Sequence, residues 1–106
     1  MARWLPKVLA EIARLATARQ LAFTHKALRE LAALGMGLDV EDARDVLVQL
    51  GASDSAGRRR SATTGEWLYV FKPTIETTVV YVKVILRVDC VVVSFHADEG
   101  ADDDDA

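Results

Sequence analysis

The sequence predicts an α+β domain, with N-terminal helices packed on one face of a three- to four-stranded antiparallel sheet. Two observations carry this prediction: apolar residues recur every three or four positions as far as Leu50, and β-branched and aromatic residues crowd together from Trp67 onward. A third is the polar stretch between them, residues 51–65, whose glycines and serines separate the two regimes.

In the first helix Leu5, Val8, Leu9, Ile12, Leu15 and Ala16 share a face, and Glu11 and Arg14 turn outward. Thr24 is a plausible cap for a second helix with a stripe of Leu28, Leu31 and Leu34, stopped by Gly35 and Gly37. Asp39 caps a third, where Glu41 and Asp42 complement the positive end of the dipole; Val40, Ala43, Val46, Leu47 and Leu50 face the core. Residues 51–65, including the adjacent Arg58, Arg59 and Arg60, read as a basic loop, with entry into a first strand left open. Strands are expected at Trp67–Phe71, Thr78–Arg87 and Cys90–Phe95, bounded by Pro73 and Asp89.

One domain over residues 1–97 and a disordered acidic tail over 98–106 fit the 106 residues, of which 51% are hydrophobic. A domain this small buries under two-thirds of its unfolded surface, so a site must be a shallow feature built from few side chains. The lone Cys90 leaves no disulfide and no thiolate metal cage. Charges interrupt the N-terminal apolar residues and no run is long enough to span a bilayer, so a cytoplasmic protein without membrane contact is expected. The net charge of −3 conceals a division, because residues 98–106 carry −6 and the rest +3. A polyanionic partner is compatible with that distribution, although scattered surface arginines also serve solubility alone.

Parity along the last two strands is informative. If Val88 and Asp89 form a two-residue turn, Tyr81 faces His96 and Lys83 faces Ser94, although Val-Asp is a poor turn of the required type. A phenol, an imidazole and an ammonium then share one sheet face, opposite Val80, Val82 and Val84. Such a face, without paired carboxylates or a metal-ligand cluster, suits cleavage of RNA by its own 2′-hydroxyl. That chemistry needs a base, cations for the developing negative charge and an acid for the leaving oxygen. His96 is the natural proton carrier, since an imidazole titrates near neutrality, and Arg60, Lys72 and Lys83 offer charge.

The segments DVLVQLGASD, RSATT, WLYVFKP, VYVKV and VVVSFH, in this order, resemble the MqsR-type toxins of bacterial toxin–antitoxin systems. The resemblance runs from about Leu5 to His96 and is strongest in the strands. It implies a RelE-like fold and a metal-independent endoribonuclease that cleaves mRNA, on or off the ribosome, in the bacterial cytoplasm, is silenced by a cognate antitoxin and needs no cofactor. By position, Arg60 replaces a functional lysine of the family, Tyr81 falls on a residue the family uses for activity, and His96 replaces a lysine. Leu68 stands where the family has a functional glutamine.

The resulting assignment gives proton transfer to His96 and Tyr81, stabilisation of the scissile phosphate to Arg60 and Lys83, and RNA binding to Lys72, Arg58, Arg59 and Arg87. Each has a plainer reading. A histidine at a strand end is commonly a surface residue, Tyr81 stabilises a sheet by cross-strand packing alone, and Trp67, Tyr69 and Phe71 at period two read as core rather than as a base-stacking platform. Two further classes stay open: an inactive binding module that partners an antitoxin-like regulator or the ribosome, and a dimerisation domain joined through sheet edges.

Overall fold

The computed structural model describes residues 2–100. Three helices, α1 (Leu5–Thr17), α2 (His25–Ala33) and α3 (Val40–Val48), accompany six strands: β1 (Leu21–Phe23), β2 (Ser55–Arg60), β3 (Trp67–Phe71), β4 (Thr74–Ile75), β5 (Thr78–Leu86) and β6 (Cys90–Ala97). The main sheet runs β1-β6-β5-β3-β2, with β4 paired to β5 beside it. It is antiparallel except for β1, which lies parallel to β6. The class is α+β as expected, whereas the strand number exceeds three to four and β1 interrupts the helical region.

The helices form where the sequence supplies both stripe and cap. In α1, Leu5, Val8, Ile12, Leu15 and Ala16 are buried, while Glu11 and Arg14 pair in solvent at 2.7 Å. Thr24 Oγ1 accepts the Ala27 N–H of α2, and Asp39 and Asp42 form a reciprocal capping box at α3. The stripes are narrower than the periodicity suggests. Leu28 and Val40 are 40% and 42% exposed, so α2 and α3 bury chiefly Ala27, Leu31, Ala43 and Leu47.

Residues 55–60 are strand rather than loop. β2 pairs with β3 through Arg58–Tyr69, Arg59–Leu68 and Arg60–Trp67, after an irregularity that contains Gly57 at φ 96°. The strand escapes sequence patterning because it lies at the sheet's edge, where charged side chains are tolerated and discourage further pairing. Its connection to β3 is a built turn in which Ser61 Oγ accepts the N–H groups of Thr63 and Thr64 and Gly65 N–H bonds the Ser61 carbonyl.

The β5–β6 register combines two departures from the expected hairpin. Three residues, Arg87, Val88 and Asp89, separate the paired Leu86 and Cys90, and this odd connection displaces the pairing by one. A bulge at Val93 displaces it back. Val84 faces Val92, but Lys83 faces Ser94 and Tyr81 faces His96 as expected. The same bulge lets Cys90, Val92 and Phe95 all join the helix-side core with Val80, Val82, Val84, Tyr69 and Phe71, which strict alternation along β6 forbids.

Beyond β1, helix α2 covers the outer edge of β6. Thr24 Oγ1 donates to the Val93 carbonyl at 3.3 Å, and Glu30 Oε1 accepts the Phe95 N–H at 2.9 Å. Asp98, counted with the acidic tail, is tied to the sheet by its N–H to the Val79 carbonyl at 2.8 Å. Residues 101–106 lie outside the described residues.

Candidate functional site

The sheet face turned away from the core cluster carries Tyr81, Lys83 and Ile85 from β5, Ser94 and His96 from β6, Leu68 and Val70 from β3, and Arg59 from β2. Tyr81 and His96 stack with ring centroids 5.0 Å apart and planes 11° from parallel. The Tyr81 hydroxyl accepts a hydrogen bond from the Arg59 guanidinium at 3.0 Å. Beside it lies a cleft of about 230 Å³ lined by Ala56, Arg58, Arg59, Val70, Lys72 and Tyr81.

His96 Nδ1 lies 2.8 Å from the Ala97 carbonyl oxygen. A carbonyl only accepts, so Nδ1 carries the hydrogen of this bond. Lys72 flanks the cleft and faces Asp98 at 3.5 Å. The cleft and the ring stacked beside it thus bring together a guanidinium from β2, a phenol from β5, an imidazole from β6 and the ammonium of Lys72, which follows β3.

The structure redistributes the other residues singled out from sequence. Lys83 is on this face but fully buried, 0% exposed, between Val70 and Ser94 in the strand register, so it is no solvent-facing cation. Arg60 is turned to the opposite face. Its guanidinium lies 4.0 Å from the Trp67 ring centroid and donates to the Gly65 carbonyl at 2.9 Å. Arg58 shares that side, 3.8 Å from the Trp67 centroid and 4.8 Å from that of Trp4. The reason is alternation: in a strand, Arg58 and Arg60 must face one way and Arg59 the other, a distinction a loop reading erases. Arg87 makes a two-pronged pair with Glu66 at 2.9 and 2.7 Å, which, together with the Thr64 hydroxyl, holds the Glu66 carboxyl down to about 2. That pairing stands apart from the Tyr81–His96 stack.

Sequence reasoning missed Lys26, Glu30 and Asp98. Lys26 Nζ donates to Ser94 Oγ at 2.8 Å and pairs with Glu30 at 3.1 Å, alongside the strand that bears His96. No local signal announces a contact between residues so distant in sequence. Asp98 had a signal, its place immediately after the strand, but composition assigned it to the tail. Leu68, 2% exposed, is packed into the face and offers no polar atom there. Trp67, Tyr69 and Phe71 pack on the helix-side core, and Trp4 meets Tyr69 at 5.5 Å between ring centroids.

Among the described residues no three His, Cys, Asp or Glu side chains are grouped as metal ligands would be, and no helix is long and apolar enough to cross a membrane. Fold and site thus define a small α+β protein with a shallow cleft on one sheet face, lined by Arg59 and Lys72 and flanked by the Tyr81–His96 stack. Residues 6–97 match the family model described as motility quorum-sensing regulator, toxin of MqsA. The chain belongs to this family of toxins, the toxin half of a toxin–antitoxin system. The curated proteins give no match.

Proposed function

We propose that this toxin is an endoribonuclease that cleaves mRNA without a metal ion, through attack of a 2′-hydroxyl on the adjacent phosphate. The observation that supports it best is the contiguous Arg59–Tyr81–His96 arrangement, in which a guanidinium touches a phenol and the phenol stacks on an imidazole. His96 Nε2 removes the 2′-hydroxyl proton. The oxygen then attacks phosphorus, and Arg59 and Lys72 bear against the negative charge that develops on the non-bridging oxygens. Tyr81 donates its proton to the departing 5′-oxygen, and the Arg59 contact stabilises the phenolate left behind. The products are a 2′,3′-cyclic phosphate and a 5′-hydroxyl.

In this reading Arg59 takes the role first given to Arg60, and Lys83 acts as a positioning residue beneath the cleft. Arg58, Arg60 and Arg87 are left to contacts with RNA outside the reacting centre. A cognate antitoxin of the MqsA kind holds the toxin silent. Leu68 favours a second reading, an inactive module that binds an antitoxin-like regulator or the ribosome, because it places a hydrocarbon where the resembling family has a functional amide.

The test is incubation of the purified protein with long single-stranded RNA in EDTA, followed by end-group analysis of the fragments. Fragments with cyclic or 3′-phosphate ends are expected, with rates lowered about 10²–10⁴-fold in His96→Ala and Tyr81→Phe. Arg59→Ala is expected to lose about 10²-fold. No cleavage by the wild type, with or without ribosomes, overturns this reading in favour of the binding module.

A further inference from the structure

The cleft that Arg59, Lys72 and Tyr81 line, beside the His96 ring, already has one anionic neighbour from its own chain. Asp98 extends the β5 pairing past Ala97 through its N–H to the Val79 carbonyl, and its carboxylate faces Lys72 Nζ at 3.5 Å with the side chain only 16% exposed. Glu99 and four consecutive aspartates, Asp102–Asp105, follow in the sequence, with only glycine and alanine among them. We propose that residues 99–106 dock in cis along this cleft, as an internal mimic of a polyanionic substrate, and compete with RNA for it.

Three features favour this occupant. Charge is complementary, since residues 98–106 carry −6 and the rest of the chain +3. The origin of the tail is fixed at the cleft, because Lys72, which lines it, holds the first tail residue. The charge is dense, since Asp102–Asp105 are four consecutive carboxylates within a few residues of Asp98. Tethering supplies the concentration. A segment joined directly to its site experiences an effective concentration in the millimolar range, so weak ionic contacts suffice to occupy the cleft when salt is low.

Docking stands independently of the ribonuclease reading, whereas the competition with RNA rests on it. The decisive variant keeps the tail's length and removes four of the five negative charges of residues 99–106: Asp102→Asn, Asp103→Asn, Asp104→Asn and Asp105→Asn together in the full chain. Amide chemical shifts without RNA report docking, and anisotropy of a labelled 2′-O-methyl single-stranded RNA, which the proposed reaction cannot cut, reports competition. Shifts are expected at Arg59, Lys72, Tyr81 and His96. The variant protein should bind RNA about tenfold more tightly at about 0.05 M salt, a gap that closes by about 0.5 M. Unmoved cleft amides, or shifts confined to Arg60, Gly65 and Trp67 away from the cleft, overturn the docking. Moved cleft amides with unaltered RNA affinity overturn the competition. Moved cleft amides with no RNA bound by either protein support the docking and refute the RNA reading instead.

Discussion

Tyr81 holds two neighbours at once, the His96 ring on its face and the Arg59 guanidinium on its hydroxyl. Its rotamer is therefore set from β6 and from β2, and Tyr81→Phe separates the two contributions, because it keeps the stack and removes only the hydroxyl. Cys90 shows the opposite environment. Burial on the helix side of the same hairpin pushes its thiol up to about 12 from an ordinary 9.0. The folded state thus favours the protonated thiol, and the unfolded chain ionises first as pH rises. This contribution to stability is present below pH 9 and is lost between 9 and about 12. A thiol reagent at neutral pH is expected to leave Cys90 unlabelled in the native protein and to react on unfolding, which mass spectrometry along a denaturant series would measure.

Among the elements, the α2–β6 junction governs the site. Thr24 caps α2 through its hydroxyl oxygen and gives its proton to the carbonyl of Val93, the bulged residue that brings Ser94 and His96 into line with Lys83 and Tyr81. Thr24→Ala is expected to cost about 1 kcal/mol in chemical denaturation through the lost cap. Because the same change releases the Val93 carbonyl, the His96 ring resonances should broaden or shift as well, whereas a simple loss of helix would leave them in place. The edge strand β2 contributes by its parity. Its three arginines alternate between faces, so Arg59 reaches Tyr81 while Arg58 and Arg60 bracket Trp67. The turn from Ser61 to Glu66 then fastens Arg60 to Gly65 and Arg87 to Glu66, which keeps those two guanidinium groups committed within the hairpin region.

At the scale of the whole molecule, core and cleft are two sides of one sheet. Phe95 is fully buried against the helices, yet it lies between Ser94 and His96, and its N–H is held by Glu30. Truncation to alanine is expected to remove about 3–5 kcal/mol, a large share of what a domain this size possesses. Phe95→Ala should therefore lower the thermal midpoint steeply and lose cleft function together with fold, while Phe95→Leu should retain both to a measurable degree. The charge distribution acts at the same scale. A chain that is basic over its domain and acidic over its tail presents a different net field at each salt concentration, which is why its affinity for a polyanion must be measured across ionic strength.

By itself the sequence determined the α+β class, the three helices with their Thr24 and Asp39 caps, the three longer strands and the placement of Tyr81 opposite His96. These rest on local periodicity and capping, which act over one or two turns and are written in neighbouring residues. Even so, the Tyr81–His96 pairing follows from an odd turn and a bulge that cancel, not from the two-residue turn that local reasoning suggests. Only the tertiary structure decided that β1 and β2 are strands, because a three-residue parallel strand and an arginine-rich edge take their hydrogen bonds from distant partners. Only it could bury Lys83, turn Arg60 away, and bring Arg59 and Asp98 to the cleft. Each of those outcomes depends on which side of a strand faces which neighbour, and one bulge or one extra residue inverts that side without leaving a mark in the local pattern.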